Sequence, residues 1–106
     1  MNKLNCAVVT IVYNPHNQNC NVVNNILTYS NFFKHIIIID NSKNNNSYIF
    51  KNIDNAIYIP NYKNLGIAKA LNIGCKYALE KNYEWILTMD QDSYWDNLQL
   101  KSFFSN

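Results

Sequence analysis

The chain of 106 residues is 48% hydrophobic and 15% charged, with two Gly and two Pro, which describes one globular domain and excludes a disordered or collagen-like segment. A domain of this size has one core and no room for a second, substrate-binding domain. Nine Lys, no Arg and seven acidic residues leave a formal charge of +2, too small and too dispersed to mark a nucleic-acid or membrane-surface binder, and the missing Arg removes the usual bidentate phosphate fork. The 21 Asn residues, with Lys in place of Arg and frequent Ile, read as genome composition rather than chemistry.

The N-terminus carries one Lys and an apolar stretch of eight residues, Cys6 to Tyr13, followed by Asn14-Pro15 where a signal peptide would have a small-residue cleavage site. Ala7 to Tyr13 reads instead as a buried strand. Asn21 to Tyr29 places Val22, Val23, Ile26 and Leu27 at helical spacing. Ile36 to Asp40 is the second strand, and its four successive Ile do not alternate, so both of its faces are covered, as in a parallel sheet between helices. Ser47 to Asn52 reads as a short helix and Ala56 to Pro60 as the third strand. From Gly66 to Lys81, Ile67, Ala70, Leu71, Gly74, Cys75, Ala78 and Leu79 form one stripe of a helix while Lys69, Asn72, Lys76 and Glu80 fall largely elsewhere. Trp85 to Asp90 is the fourth strand, and Asn97 to Phe104 offers apolar positions for a further helix. No apolar run approaches the roughly 20 residues that cross a bilayer. The odd cysteines Cys6, Cys20 and Cys75, without C-x-x-C spacing, read as reduced core thiols. A soluble, cytoplasmic protein is expected, with attachment to the inner face of a membrane left open.

Strand and helix in alternation predict an α/β fold, a parallel-sheet half-Rossmann arrangement of about four strands with flanking helices. Ligands of such sheets bind beyond the carboxyl ends of the strands, which here carry Thr10 to Pro15, Asp40-Asn41-Ser42, Asn61 with Asn64-Leu65-Gly66, and Asp90-Gln91-Asp92-Ser93. Residues i and i+2 of an extended chain point the same way, so Asp90 and Asp92 can reach one hard cation, Mg²⁺ or Mn²⁺, and leave positions for diphosphate oxygens; Asp also commonly caps a turn after a strand. Asp40 can accept hydrogen bonds from the ring N–H of uracil or thymine and from a ribose hydroxyl, or close an Asx turn or cap a helix. Asn64 and Gly66 make a tight turn and cap before the helix. Asn72 is either solvated or turned into the crevice, and Tyr13 either stacks on a base or packs beneath the Asn14-Pro15 turn. The aromatic pairs Tyr94-Trp95 and Phe32-Phe33 read as core, and the isolated His16 and His35 as surface or strand-flank residues. No G-x-x-x-x-G-K-S/T is present, and no G-x-G-x-x-G follows the first strand, which excludes a P-loop and argues against a dinucleotide site.

Four strings in order, Val9 to Pro15, Ile39 to Ser42, Asn64 to Gly74 and Trp85 to Ser93, resemble the nucleotide-binding half of the family 2 glycosyltransferases. The third and fourth look most like the rhamnosyltransferase branch, in which N-x-G-I-A-x-A-x-N-x-G precedes D-Q-D-S. The resemblance implies a GT-A fold and transfer of a sugar from a nucleoside diphosphate donor, a dTDP- or UDP-sugar, with inversion. By the same resemblance Thr10, Tyr13 and Asp40 match positions that hold base and ribose. Asp90 and Asp92 match the D-x-D that engages metal, diphosphate and ribose, and Asn64 and Asn72 match recurrent polar positions that are structural or support the donor. A metal clamp fits the chemistry, since displacement at the anomeric carbon releases a diphosphate whose developing charge needs stabilising.

Family members continue well past the D-x-D into a half that supplies the acceptor site and a carboxylate general base. No residue here can be assigned that base, because Glu80 and Glu84 precede the fourth strand and Asp96 follows the D-x-D too closely. The chain therefore reads as an N-terminal donor-binding portion, inactive alone, of an enzyme of bacterial surface polysaccharide synthesis whose saccharide or lipid-linked acceptor binds elsewhere. Uncovered apolar surface on half a domain points to self-association. The competing expectation is a non-catalytic α/β interaction module whose strand-end Asp residues are turn caps.

Overall fold

The computed structural model describes residues 4–16 and 21–96. Four strands, β1 (Leu4–Val12), β2 (Phe33–Asp40), β3 (Ala56–Pro60) and β4 (Trp85–Asp90), form one sheet in the order β3-β2-β1-β4, with every neighbouring pair parallel. Helix α1 (Val22–Leu27) lies between β1 and β2, and α2 (Ile67–Glu80) between β3 and β4. The expected α/β architecture is present. The segment Ser47 to Asn52 forms a 3-10 turn, Ser47–Phe50, and an unforeseen second one, Ser30–Phe32, leads directly into β2. Cys20 and the helix expected over 97–104, with Phe103 and Phe104, lie outside the described residues.

β1 and β2 have both faces covered, whereas β3 is half-buried and β4 leaves Trp85, Thr88 and Asp90 exposed. Alternate residues of β1 and β2 face opposite sides. Val8, Val12, Ile36 and Ile38 pack with α1 residues Val22 and Ile26 and with Tyr29, Phe33, Phe50 and Ile53. On the other side Ala7, Val9, Ile37 and Ile39 pack against Ala70 and Ala78 of α2. Tyr29, Phe33 and Trp95 form an aromatic cluster with ring centroids 5.6 to 6.3 Å apart. The expectation that both aromatic pairs are core holds for Phe33, which is fully buried, whereas Tyr94 is 60% exposed. Cys6 is buried, which pushes its thiol pKa up, and Cys75 is half-buried; both are free. His16 is exposed, and His35 near the start of β2 meets the Tyr83 hydroxyl.

Helix α2 sits close to β1 because of one residue. A Cβ built on Gly74 would stand 2.4 Å from Val9 Cγ1 and 3.2 Å from Ile39 Cγ1, so the stripe Ala70, Gly74 and Ala78, all buried, is the only width that lets the helix rest on the ladder. Replacing Gly74 with Ala gains helix propensity of about 1 kcal/mol but forces overpacking that costs about 1–3 kcal/mol. Gly74→Ala is therefore expected to lower stability by about 1 kcal/mol, read from the urea midpoint at unchanged slope.

Candidate functional site

The chain builds outward from β1 to β2 and β3 on one side, then returns through α2 to place β4 on the other side of β1. Reversal of direction in a parallel sheet opens a crevice between the two diverging loops. A cleft of about 500 Å³ lies there, at the carboxyl ends of β1 and β4, and its walls include Tyr13, Asn41, Asn64, Ile67, Leu71 and the run Asp90-Gln91-Asp92. Ile11 and Asp90, Cα partners in the ladder, both line it. The cleft thus opens on the α2 side.

Of the residues singled out from sequence, Tyr13, Asn64, Asp90 and Asp92 are brought together at this cleft. Tyr13 is 51% exposed and both Asp residues are exposed. The i and i+2 geometry differs from expectation: β4 ends at Asp90, and Ser93 N donates to Asp90 O at 3.0 Å, so Asp92 sits in a turn rather than on an extended chain. The turn nonetheless leaves both carboxylates on the cleft wall. Asp92 also lines a second hollow, of about 430 Å³, with Ser93, Tyr94, Trp95 and Asp96. Among the described residues no group of three or more His, Cys, Asp or Glu could hold a metal ion. Two carboxylates are still a hard-oxygen pair suited to Mg²⁺ or Mn²⁺, which are commonly bound by one or two carboxylates plus phosphate and water.

Thr10, Asp40 and Asn72 are not brought to the cleft. Thr10 is fully buried, and its Oγ1 has no hydrogen-bond partner among the described residues. It lies one residue from the cleft-lining Ile11, so alternation turns it toward the opposite face of the sheet. Asp40 is also fully buried, with its carboxylate enclosed by donors. Its Oδ1 accepts Ser42 N at 2.9 Å, closing an Asx turn, and its Oδ2 accepts from Asn46 Nδ2 at 3.0 Å and from the Tyr58 hydroxyl at 2.5 Å. Asn72 is exposed on α2, two residues before the buried Gly74.

Amide side chains join the loops around the cleft. Asn41 Nδ2 donates to Gly66 O at 3.2 Å and Asn61 Nδ2 donates to Asn41 Oδ1 at 2.8 Å, tying the ends of β2 and β3 to the start of α2. Ser42 Oγ accepts Asn14 N at 2.8 Å, and Gln91 Oε1 accepts Tyr13 N at 2.9 Å. Asn64 Oδ1 accepts Gly66 N at 2.9 Å; it shapes the turn before α2 without capping the helix itself. Gly66 has φ 84° and ψ 164°, a conformation that essentially only Gly adopts. Asn41 and Gln91 were named from sequence only within the strand-end strings Asp40-Asn41-Ser42 and Asp90-Gln91-Asp92-Ser93, not as site residues in their own right. Their position directly beside Asp40, Asp90 and Asp92 at strand ends was the available signal.

The model of the family described as Glycosyl transferase family 2 matches residues 7–105, nearly the whole chain. The chain belongs to this family. It is similar to a Shigella flexneri protein named dTDP-rhamnosyl transferase RfbF, with 37% identity over 93 residues that make up 84% of this chain and 30% of that protein. The chain spans less than a third of the length of that relative. As a family 2 glycosyltransferase sequence, it has its cleft at the expected end of the sheet. No helix among the described residues is long and apolar enough to cross a membrane.

Two measurements test this description of the buried polar groups. Burial, reinforced by the hydrogen bond to Asp40, pushes the Tyr58 phenol well above its ordinary value of 10.0. The fold therefore favours the protonated phenol: its stabilising effect is complete below pH 10 and is lost as the pH rises from there toward the folded value. The urea midpoint is expected to fall above pH 10, and less steeply in Tyr58→Phe; some slope remains because burial raises Tyr29 as well. Thr10→Val removes an unpartnered hydroxyl at nearly constant volume, so a gain of about 1 kcal/mol in chemical denaturation is expected.

Proposed function

We propose that this chain is the donor-nucleotide part of a metal-dependent, inverting glycosyltransferase, with a dTDP- or UDP-sugar in the cleft between β1 and β4. The observation that carries the reading is the convergence of Asp90, Asp92, Tyr13 and Asn64 on one cleft at the reversal point of the sheet. The name of the Shigella flexneri relative favours a dTDP-sugar and rhamnosyl transfer. Surface polysaccharide assembly at the cytoplasmic face of a membrane is the proposed setting.

In this reading Asp90 and Asp92 hold Mg²⁺ or Mn²⁺, which when bound supplies positive charge against the diphosphate. Tyr13 offers an exposed ring for a base. α2 begins at the rim, with Ile67 on the cleft wall and no side chain capping its first turn, so its amide groups favour an anion on that side. Asp40 acts at one remove: its carboxylate gathers Ser42, Asn46 and Tyr58 and so holds the loop that presents Asn41. Thr10 lies beneath the site, and Asn72, exposed on α2 away from the cleft, takes no direct part in holding the donor. The acceptor is a saccharide or a lipid-linked saccharide bound by other parts of the enzyme. Asp90 and Asp92 are the acidic side chains on the cleft wall, and with both engaged by the metal none is left as general base, so the chain alone binds donor without transferring sugar.

A second reading, a non-catalytic interaction module, draws on β4. This strand pairs only with β1 on the described sheet, and its own Trp85 is 70% exposed. Open apolar edges find partners, a second copy of the chain included.

Isothermal titration with dTDP and with UDP, each with Mn²⁺ and with EDTA, tests the donor reading. Metal-dependent binding is expected, stronger for dTDP. Asp92 is exposed and makes no described hydrogen bond that the fold needs, so Asp92→Ala should keep the fold and weaken metal-linked binding by about tenfold or more. Binding that ignores EDTA and Asp92→Ala would refute the metal site, and no binding by the folded chain would favour the interaction module.

A further inference from the structure

We infer that Gln91, the residue between the two cleft carboxylates, is a positioning residue that sets the spacing between Tyr13 and the acidic turn; the inference rests on the donor-site reading above. The β1–β4 ladder ends at Ile11 and Asp90. Beyond that rung the backbone acceptors of β4 are taken, Asp90 O by Ser93 N at 3.0 Å and Gln91 O by Asn25 Nδ2 at 3.1 Å. The Gln91 side chain supplies the acceptor that the backbone no longer offers: its Oε1 receives Tyr13 N at 2.9 Å and adds one rung to the ladder.

The same turn is held from the far side of the sheet. Asn25 lies on α1, and one helical turn later Thr28 Oγ1 accepts Trp95 N at 2.9 Å. The run from Gln91 to Trp95 is thus seated on α1 at both ends, while Asp90, Gln91 and Asp92 look into the cleft on the α2 side. Gln91 is the member of this run that bonds in both directions, to α1 through its carbonyl and to the β1 loop through its side chain. Without the side-chain oxygen, Tyr13 loses its tie to the acidic turn, and the cost of ordering it falls on ligand binding.

The test uses the 106-residue chain, with hydrogen exchange at the Tyr13 amide and calorimetric titration of dTDP with Mn²⁺. Gln91→Met keeps the side-chain volume and removes the acceptor. It should speed Tyr13 exchange by about tenfold and weaken dTDP by about fivefold. Gln91→Glu keeps an oxygen at the same reach and should restore Tyr13 protection, which a loss of packing would not allow. Asn25→Ala, away from the cleft, guards against a folding defect in Gln91→Met and should weaken dTDP by about threefold. A freely exchanging Tyr13 amide in the unaltered chain, or Gln91→Met releasing that amide with dTDP affinity unchanged, would overturn the inference. A protected Tyr13 amide in a chain that binds no dTDP would instead overturn the donor-site reading, and with it the role drawn for Gln91.

Discussion

β1 has a strand on each side and a helix on each face, and the rest of the structure depends on that enclosure. Its residues Ala7, Val8, Val9 and Val12 are fully buried, so it has no polar face with which to meet water. Both crossovers must therefore cover it, α1 from one side and α2 from the other. The second covering requires Gly74, where a methyl group would run into Val9. Because β2 and β4 flank this one strand from opposite directions, their loops diverge beyond it, and the cleft is the space that divergence leaves.

Chemistry at the cleft then depends on loops that carry little apolar surface of their own. Side-chain amides and hydroxyls hold them. Asn25, Asn41, Asn46, Asn61 and Asn64 each make a hydrogen bond that fixes a turn or joins two elements there, and Asn55 does so at the opposite end of the sheet, where it bonds Ser30 O and Phe33 O. The excess of Asn, which composition alone assigns to genome bias, is thus also structural: a short neutral amide both donates and accepts, and bridges backbone groups without adding charge near the carboxylates. Asp40 is the charged counterpart. Its three donors make it the centre of the β2–β3 loops, and its carboxylate is satisfied before any ligand arrives.

Division of labour between the two faces explains why the carboxylates stay available. Trp95 and Thr28 anchor the end of the acidic run on the α1 side, among Tyr29 and Phe33. Asp90 and Asp92 are left on the α2 side with open solvent in front of them. Anchoring and ligand-facing groups alternate along a few residues, so the run can be rigid without burying its charges.

The four strands and the long helix were legible in the sequence because their cause is local: apolar runs and a stripe at helical spacing mark what a segment can bury, although Ile67 and Leu79 at the ends of the stripe stay exposed. The acids at Asp90 and Asp92 were legible for the same reason, as the polar residues that end an apolar strand. Strand order, and therefore which face carries the cleft, was not. Period-two alternation places Thr10 and Ile11 on opposite faces without saying which face the ligand shares, and only the return of β4 to the far side of β1 decides that Ile11, and not Thr10, lines the site. The burial of Asp40 was likewise decided by tertiary contacts, since its donors Asn46 and Tyr58 lie 6 and 18 residues away. Sequence by itself determined what each segment must bury; the packed sheet decided which polar groups were then left to face a ligand, because that depends on neighbours brought together only by folding.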